Sequence, residues 1–147
     1  MEQRTIHDPS RLSDFRATVR TKLAALWTSL MFLYIYADYF QLKAPGVLEN
    51  TMNLETPVGP TTPELLIGFS ILLIIPSLMI ILSIFLPSKI NKWLNIGVSL
   101  IYAAISILII VSGIKDEWQA FFVLFNVIEV IIFSMIIWQA WNWPKAG

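Results

Sequence analysis

The segments ELLIGFSILLIIPSLMIILSIFL (residues 64–86), PSKINK (87–92) and WLNIGVSLIYAAISILIIVSG (93–113) set two apolar runs on either side of six residues that hold Lys89 and Lys92. A helix rises about 1.5 Å per residue and the hydrocarbon core of a bilayer is about 30 Å thick, so about 20 apolar residues make a span. Both runs reach that length and neither contains Lys or Arg. Thr61 or Thr62 is placed to cap the first run, with Pro63 in its opening turn and Glu64 at the positive end of the helix dipole. Pro87 stops it, Ser88 or Asn91 starts the next, and Gly113 ends that one. Pro76 removes a backbone donor in mid-run and predicts a kink.

Working outward, two more runs pass the same test, at about 23–42 and 118–141; Pro45 and Gly46 close the former, and Asp116 is placed to cap the latter, which ends before Pro144. The composition agrees. The 147 residues are 56% hydrophobic and 14% charged, with no net charge and a mean hydropathy of +0.70, whereas soluble domains are about 45–50% apolar and about 25% charged. Without a basic excess there is no footprint for nucleic acid. Without cysteine there is no disulfide, thiol chemistry or iron–sulfur ligation, and the single His7 lies in the polar N-terminal segment, outside any span. No phosphate loop, Ser/His/Asp set or metal-ligand cluster is present, so the chain is expected to be neither an enzyme nor a cofactor carrier. The expected fold class is all-α: an integral membrane, antiparallel four-helix bundle spanning residues 23–143, after a polar segment over 1–22.

Basic residues in the short flanks set orientation. Arg4, Arg11, Arg16, Arg20 and Lys22 precede the first run, Lys89 and Lys92 follow the second, and Lys145 follows the fourth. These eight share one side, against Lys43 and Lys115 on the other, which predicts both termini in the cytoplasm. The first run begins after 22 residues and ends in aromatic and acidic residues, unlike a cleaved signal. Before it, Asp8 and Pro9 resemble a helix start, and Leu12, Phe15, Val19 and Leu23 recur at helical spacing among arginines. That pattern fits either an interfacial helix or a solvated extension of the first span. The external connection, residues 43–63, holds four prolines and two glycines and reads as a lid, a binding loop or a cap on the bundle. Trp27, Trp93, Trp138, Trp141 and Trp143 are expected at the cytoplasmic interface, with Tyr39 and Trp118 at the external one.

Polar side chains within the spans find no partner in lipid and turn inward. Asn95, Ser99, Tyr102 and Ser106 share one face of the third run; Gln119, Phe122, Asn126 and Glu129 share one of the fourth; Tyr34, Asp38 and Gln41 share one of the first. The second run offers mainly Ser70 and Ser77 and reads as a packing helix. Glu129 stands near mid-span with no basic residue in any run, so it must be protonated, hydrogen-bonded or bound to a cation. Asn126, one turn away, and Tyr102 or Ser106 at similar depth are its expected neighbours. Asp38 lies nearer the external end. The candidate ligand, ion or proton site is therefore Glu129, Asn126, Asp38, Tyr102, Ser106 and Tyr34.

The sequence also shows a family resemblance. Tyr36, Ala37 and Asp38, then PGVLE at 45–49, TPELL at 62–66, Ile75, Pro76 and Ser83 carry its first half, and NKWLNI at 91–96, Phe121, Phe122, Glu129, Trp138, Trp141 and Trp143 its second. The pattern resembles a bacterial family of small four-helix membrane proteins known as domain of unknown function 6326, over about residues 23 to 143. Trp118 and Gln119 stand where that pattern has paired aromatics. The resemblance implies one four-helix unit with Asp38 and Glu129 as family features, and no activity. A likeness to DoxX-type proteins rests on architecture alone. The expected role is binding of a small ligand, lipid or partner helix in a polar-lined cavity. A proton-coupled transporter or ion-conducting oligomer using Glu129, and an accessory subunit of a membrane complex, are the alternatives. Expected partners are the bilayer and a second copy of the chain or another membrane protein.

Overall fold

A computed structural model describes residues 17–144; the proposed interfacial helix around Asp8–Phe15 and Lys145 lie outside the described residues. Four long helices account for most of the chain: α1 (Val19–Gln41), α3 (Pro63–Phe85), α4 (Ser88–Gly113) and α5 (Ala120–Trp141). All four are long and apolar enough to cross a membrane, α5 counted together with the 3-10 turn Glu117–Gln119 that leads into it.

The caps follow from side-chain chemistry. Thr62 Oγ accepts from the Leu65 amide at 3.2 Å at the start of α3, and Asp116 accepts from the Trp118 amide at 2.9 Å ahead of α5. Thr18 caps α1 in the same way, so that helix begins four residues earlier than expected and takes Arg20 and Lys22 into its first turn. Helix α4 starts at Ser88, one of the two starts expected, directly after Pro87 and five residues ahead of the apolar run that opens at Trp93. Asn91 is therefore not a cap: it lies inside α4 and is fully buried.

Residues 43–62 are ordered locally. They hold a one-and-a-half-turn helix, α2 (Val47–Met52), and a two-residue antiparallel ribbon, β1 (Glu55–Thr56) with β2 (Gly59–Pro60), so the all-helical reading gains one small strand pair. The Thr56 hydroxyl closes the ribbon turn by donating to Gly59 O at 2.7 Å. Leu54 holds a left-handed φ of 59° between helix and ribbon, a conformation costly for a branched side chain.

One core joins all four long helices: Leu23, Trp27 and Leu30 of α1, Met79 of α3, Tyr102 of α4, and Phe133 and Ile136 of α5. The Trp27 and Phe133 rings meet edge to face at 6.0 Å. Around the core, α4 packs most extensively on α5 and α1 lies against α3 and α5, whereas α3 touches α4 sparsely. At the C-terminal end of α4, Gly113 allows the close approach of α4 to α5, since a Cβ there would stand 3.1 Å from Val123 Cγ2.

Trp27 corrects the aromatic-belt expectation. It is fully buried, and its indole Nε1–H donates to Asn95 Oδ1 at 2.7 Å. Asn95 Oδ1 also accepts from the Ser83 hydroxyl at 3.3 Å, Asn95 Nδ2 donates to Asn91 Oδ1 at 2.6 Å, and Asn91 Nδ2 donates to Ser83 O at 2.6 Å. This buried knot ties α1, α3 and α4 together, and a wholly buried polar group holds its place only with such partners. Trp93, Trp118, Trp138 and Trp141 are exposed, whereas Trp143, also expected in the belt, is partly buried against the core.

Pro76 lies inside α3 and acts there in a way periodicity does not reveal. Having no N–H, it leaves the Leu72 carbonyl, one turn earlier, without its helical donor. The Tyr102 hydroxyl, arriving from α4, donates to that carbonyl at 2.7 Å. The proline of one helix and the tyrosine of another thus form a matched pair.

Candidate functional site

Beside that pair a cavity of about 290 Å³ opens among the four long helices. Tyr34, Ala37 and Asp38 of α1, Phe69, Leu72 and Leu73 of α3, Tyr102, Ile105, Ser106 and Ile109 of α4, and Phe122, Asn126 and Glu129 of α5 line it. The sparse contact between α3 and α4 leaves this room, with the Tyr102–Leu72 bond holding the two helices at its base. All six residues singled out from the sequence border this one space.

Glu129 is 3% exposed, and its Oε2 accepts from the Ser106 hydroxyl at 2.8 Å. Its Oε1 has no protein partner among the described residues. Ser106, not Tyr102, is the bonded neighbour, because the Tyr102 hydroxyl is occupied by the Leu72 carbonyl. Asn126 is 2% exposed and spends one amide hydrogen on Phe122 O of its own helix at 2.8 Å. Asp38 is exposed, so the two carboxyls differ in depth: one stands at the margin and one is buried. The remaining lining is aromatic and aliphatic, and no Lys, Arg or His is part of it.

Below the cavity the interior is closed. Phe133, one turn beyond Glu129, packs on Tyr102 at 6.2 Å and on Trp27, and the Asn95 knot fills the next layer. Ser99 is buried between these levels, and its Oγ has no partner. Gln41 does not line the cavity, and its Oε1 is also unpartnered. On α3, Ser70 and Ser77 face outward, Ser70 bonded to Leu66 O of its own helix, and the buried serine is Ser83. Sequence reasoning missed Ser83, Asn91 and Trp27. A signal existed for Asn91, which continues the Asn95–Ser99 face by one turn.

Among the described residues no group of three or more His, Cys, Asp or Glu side chains is placed to hold a metal ion. The arrangement suits reversible binding: a preformed space with apolar walls and few polar groups, the usual make-up of a small-molecule site.

Four apolar helices around one core and one cavity fit a membrane protein of the helical class. A family model described as a family of unknown function (DUF6326) matches residues 11–147, and the chain belongs to that family. No curated protein and no solved structure matches it.

Proposed function

We propose that the protein is a non-enzymatic binding protein of a bacterial inner membrane, an antiparallel four-helix bundle with both termini cytoplasmic. The observation that carries the binding role is the cavity itself, bounded by all four helices, with a buried carboxyl that keeps one oxygen free. The closed layer of Trp27, Phe133 and the Asn95 knot favours a binding site over a transport path through one protomer.

Two cation contacts support the alternating helix directions. Arg20, at the start of α1, donates to Ile84 O at the end of α3 at 2.9 Å; Lys92, near the start of α4, donates to Trp141 O at the end of α5 at 2.9 Å. Each satisfies a C-terminal carbonyl and sits at the negative end of a helix dipole. The same end carries the excess of basic residues, which supports the cytoplasmic assignment. A cysteine placed at Asn50 is expected to react with an impermeant maleimide added outside spheroplasts. Reaction only after the membrane is broken contradicts the orientation.

The neutral probe 1-aminoanthracene tests the binding role, because its fluorescence rises in an apolar pocket. Saturable enhancement is expected with the wild-type chain in nanodiscs. Ile105→Trp, which fills the cavity, is expected to abolish the saturable part while its thermal transition stays cooperative. Equal saturable signals from both proteins would remove the cavity as a binding site.

A further inference from the structure

The groups around the cavity are unequal in hydrogen-bonding capacity. Three of its donors are spent, the Ser106 hydroxyl on Glu129, the Tyr102 hydroxyl on Leu72 O and one Asn126 amide hydrogen on Phe122 O, while the Tyr34 hydroxyl and the second Asn126 N–H have no protein partner among the described residues. Its acceptors are free. Glu129 Oε1, Asn126 Oδ1 and the Asp38 carboxyl have no protein partner among the described residues, and all three residues face this space. Glu129 and Asn126 are more than nine-tenths buried, so nothing but an occupant of the cavity can supply what they lack.

Charge and shape point the same way. Two carboxyls and no base surround the space, so a cationic occupant lowers the negative charge held in the hydrocarbon, where an unpaired charge is costly. Four rings, those of Tyr34, Phe69, Tyr102 and Phe122, line the walls, and aromatic faces attract organic cations through their quadrupoles. A bare Ca2+ or Mg2+ ion needs six or more oxygen ligands or retained waters, which these aliphatic and aromatic walls do not provide, and among the described residues no group of three or more His, Cys, Asp or Glu is placed to hold another metal. An anion would meet the free acceptors and be repelled.

We propose that the cavity takes a small organic ammonium ion, with its charged head between Glu129 and Asp38 and its apolar body against the rings of α3 and α5. The proposal rests on the cavity being a binding site, and it adds the chemical class of the occupant.

Three probes of matched shape separate the two claims: 2-phenylethylammonium, the neutral 2-phenylethanol and the anionic 3-phenylpropanoate. Each is titrated by calorimetry into the full chain in nanodiscs, with empty nanodiscs subtracted. The cation is expected to bind roughly tenfold or more tightly than the alcohol, and the anion not to bind. Glu129→Gln keeps an acceptor for Ser106 and should remove most of that preference; Asp38→Asn, at an exposed position, should remove a smaller part. An alcohol that binds as tightly as the cation, with binding lost in Ile105→Trp, overturns the ammonium assignment and leaves the binding role standing. A cation preference that persists in the Glu129→Gln, Asp38→Asn double variant also overturns it. Failure of all three probes, together with failure of 1-aminoanthracene, overturns both.

Discussion

Asn95→Leu is expected to destabilise the protein by about 3–5 kcal/mol, the cost of leaving three buried polar groups without partners. The side chain removed is the centre of the knot. Trp27 Nε1–H and the Ser83 hydroxyl lose their acceptor, Asn91 Oδ1 loses its donor, and all the groups involved are fully buried. Leucine matches the volume, so the loss is one of satisfaction and not of packing. A double-mutant cycle isolates it. Trp27→Phe alone removes the indole donor, and combined with Asn95→Leu it removes both partners of that bond, which is close to neutral for a pair. The double variant is therefore expected to melt well above the sum of the two single losses, as measured by thermal unfolding in detergent. Strict additivity would show that the Trp27–Asn95 bond contributes nothing to the fold.

Glu129→Lys is expected to be the most damaging single substitution in the cavity. A lysine at mid-bilayer costs at least about 2.5–3.5 kcal/mol on insertion scales. Phe133 closes the space on one side, and Ser106 would face an ammonium in place of the carboxyl it donates to. The expected result is a sharp drop in membrane-integrated, monodisperse protein. Glu129→Gln should behave nearly as wild type in that assay, since it can still accept from Ser106. Normal yield and melting for the lysine variant would mean that the side chain escapes to lipid or water, and the buried site would have to be abandoned.

The two predictions differ in how far the sequence discloses their basis. Glu129, Asn126 and Ser106 stand out because a polar residue in an apolar run has few places to go, and spacing of three or four puts such residues on one face. That reasoning reaches the cavity lining on α1, α4 and α5. It does not reach α3, whose nearly uniform apolar circumference gives no sign of which side turns inward. Ser83 is buried and Ser77 exposed for reasons that lie in α1 and α4. Trp27 is the sharpest case. Its depth matches that of an interfacial tryptophan, and only the rotation of α1 against Asn95 turns it into a core residue. Helix ends follow a related rule: Arg20 and Lys92 flank the apolar runs, yet both lie within helices that extend past the run to reach carbonyls of a neighbour.

The bond between Tyr102 and the carbonyl freed by Pro76 also has a place in time. Thirty residues separate Leu72 from Tyr102, and the carbonyl is synthesised first. At ordinary rates of translation it waits roughly 2–6 s for its donor. An unsatisfied carbonyl in hydrocarbon costs several kcal/mol, so α3 on its own is a poor lodger in lipid despite its length and apolarity. Its entry is best completed together with α4, the two helices passing into the bilayer as a hairpin turned at Leu86 and Pro87. Pro76 thus makes the third helix dependent on the one that follows it, and the order of the chain becomes part of how the protein is built.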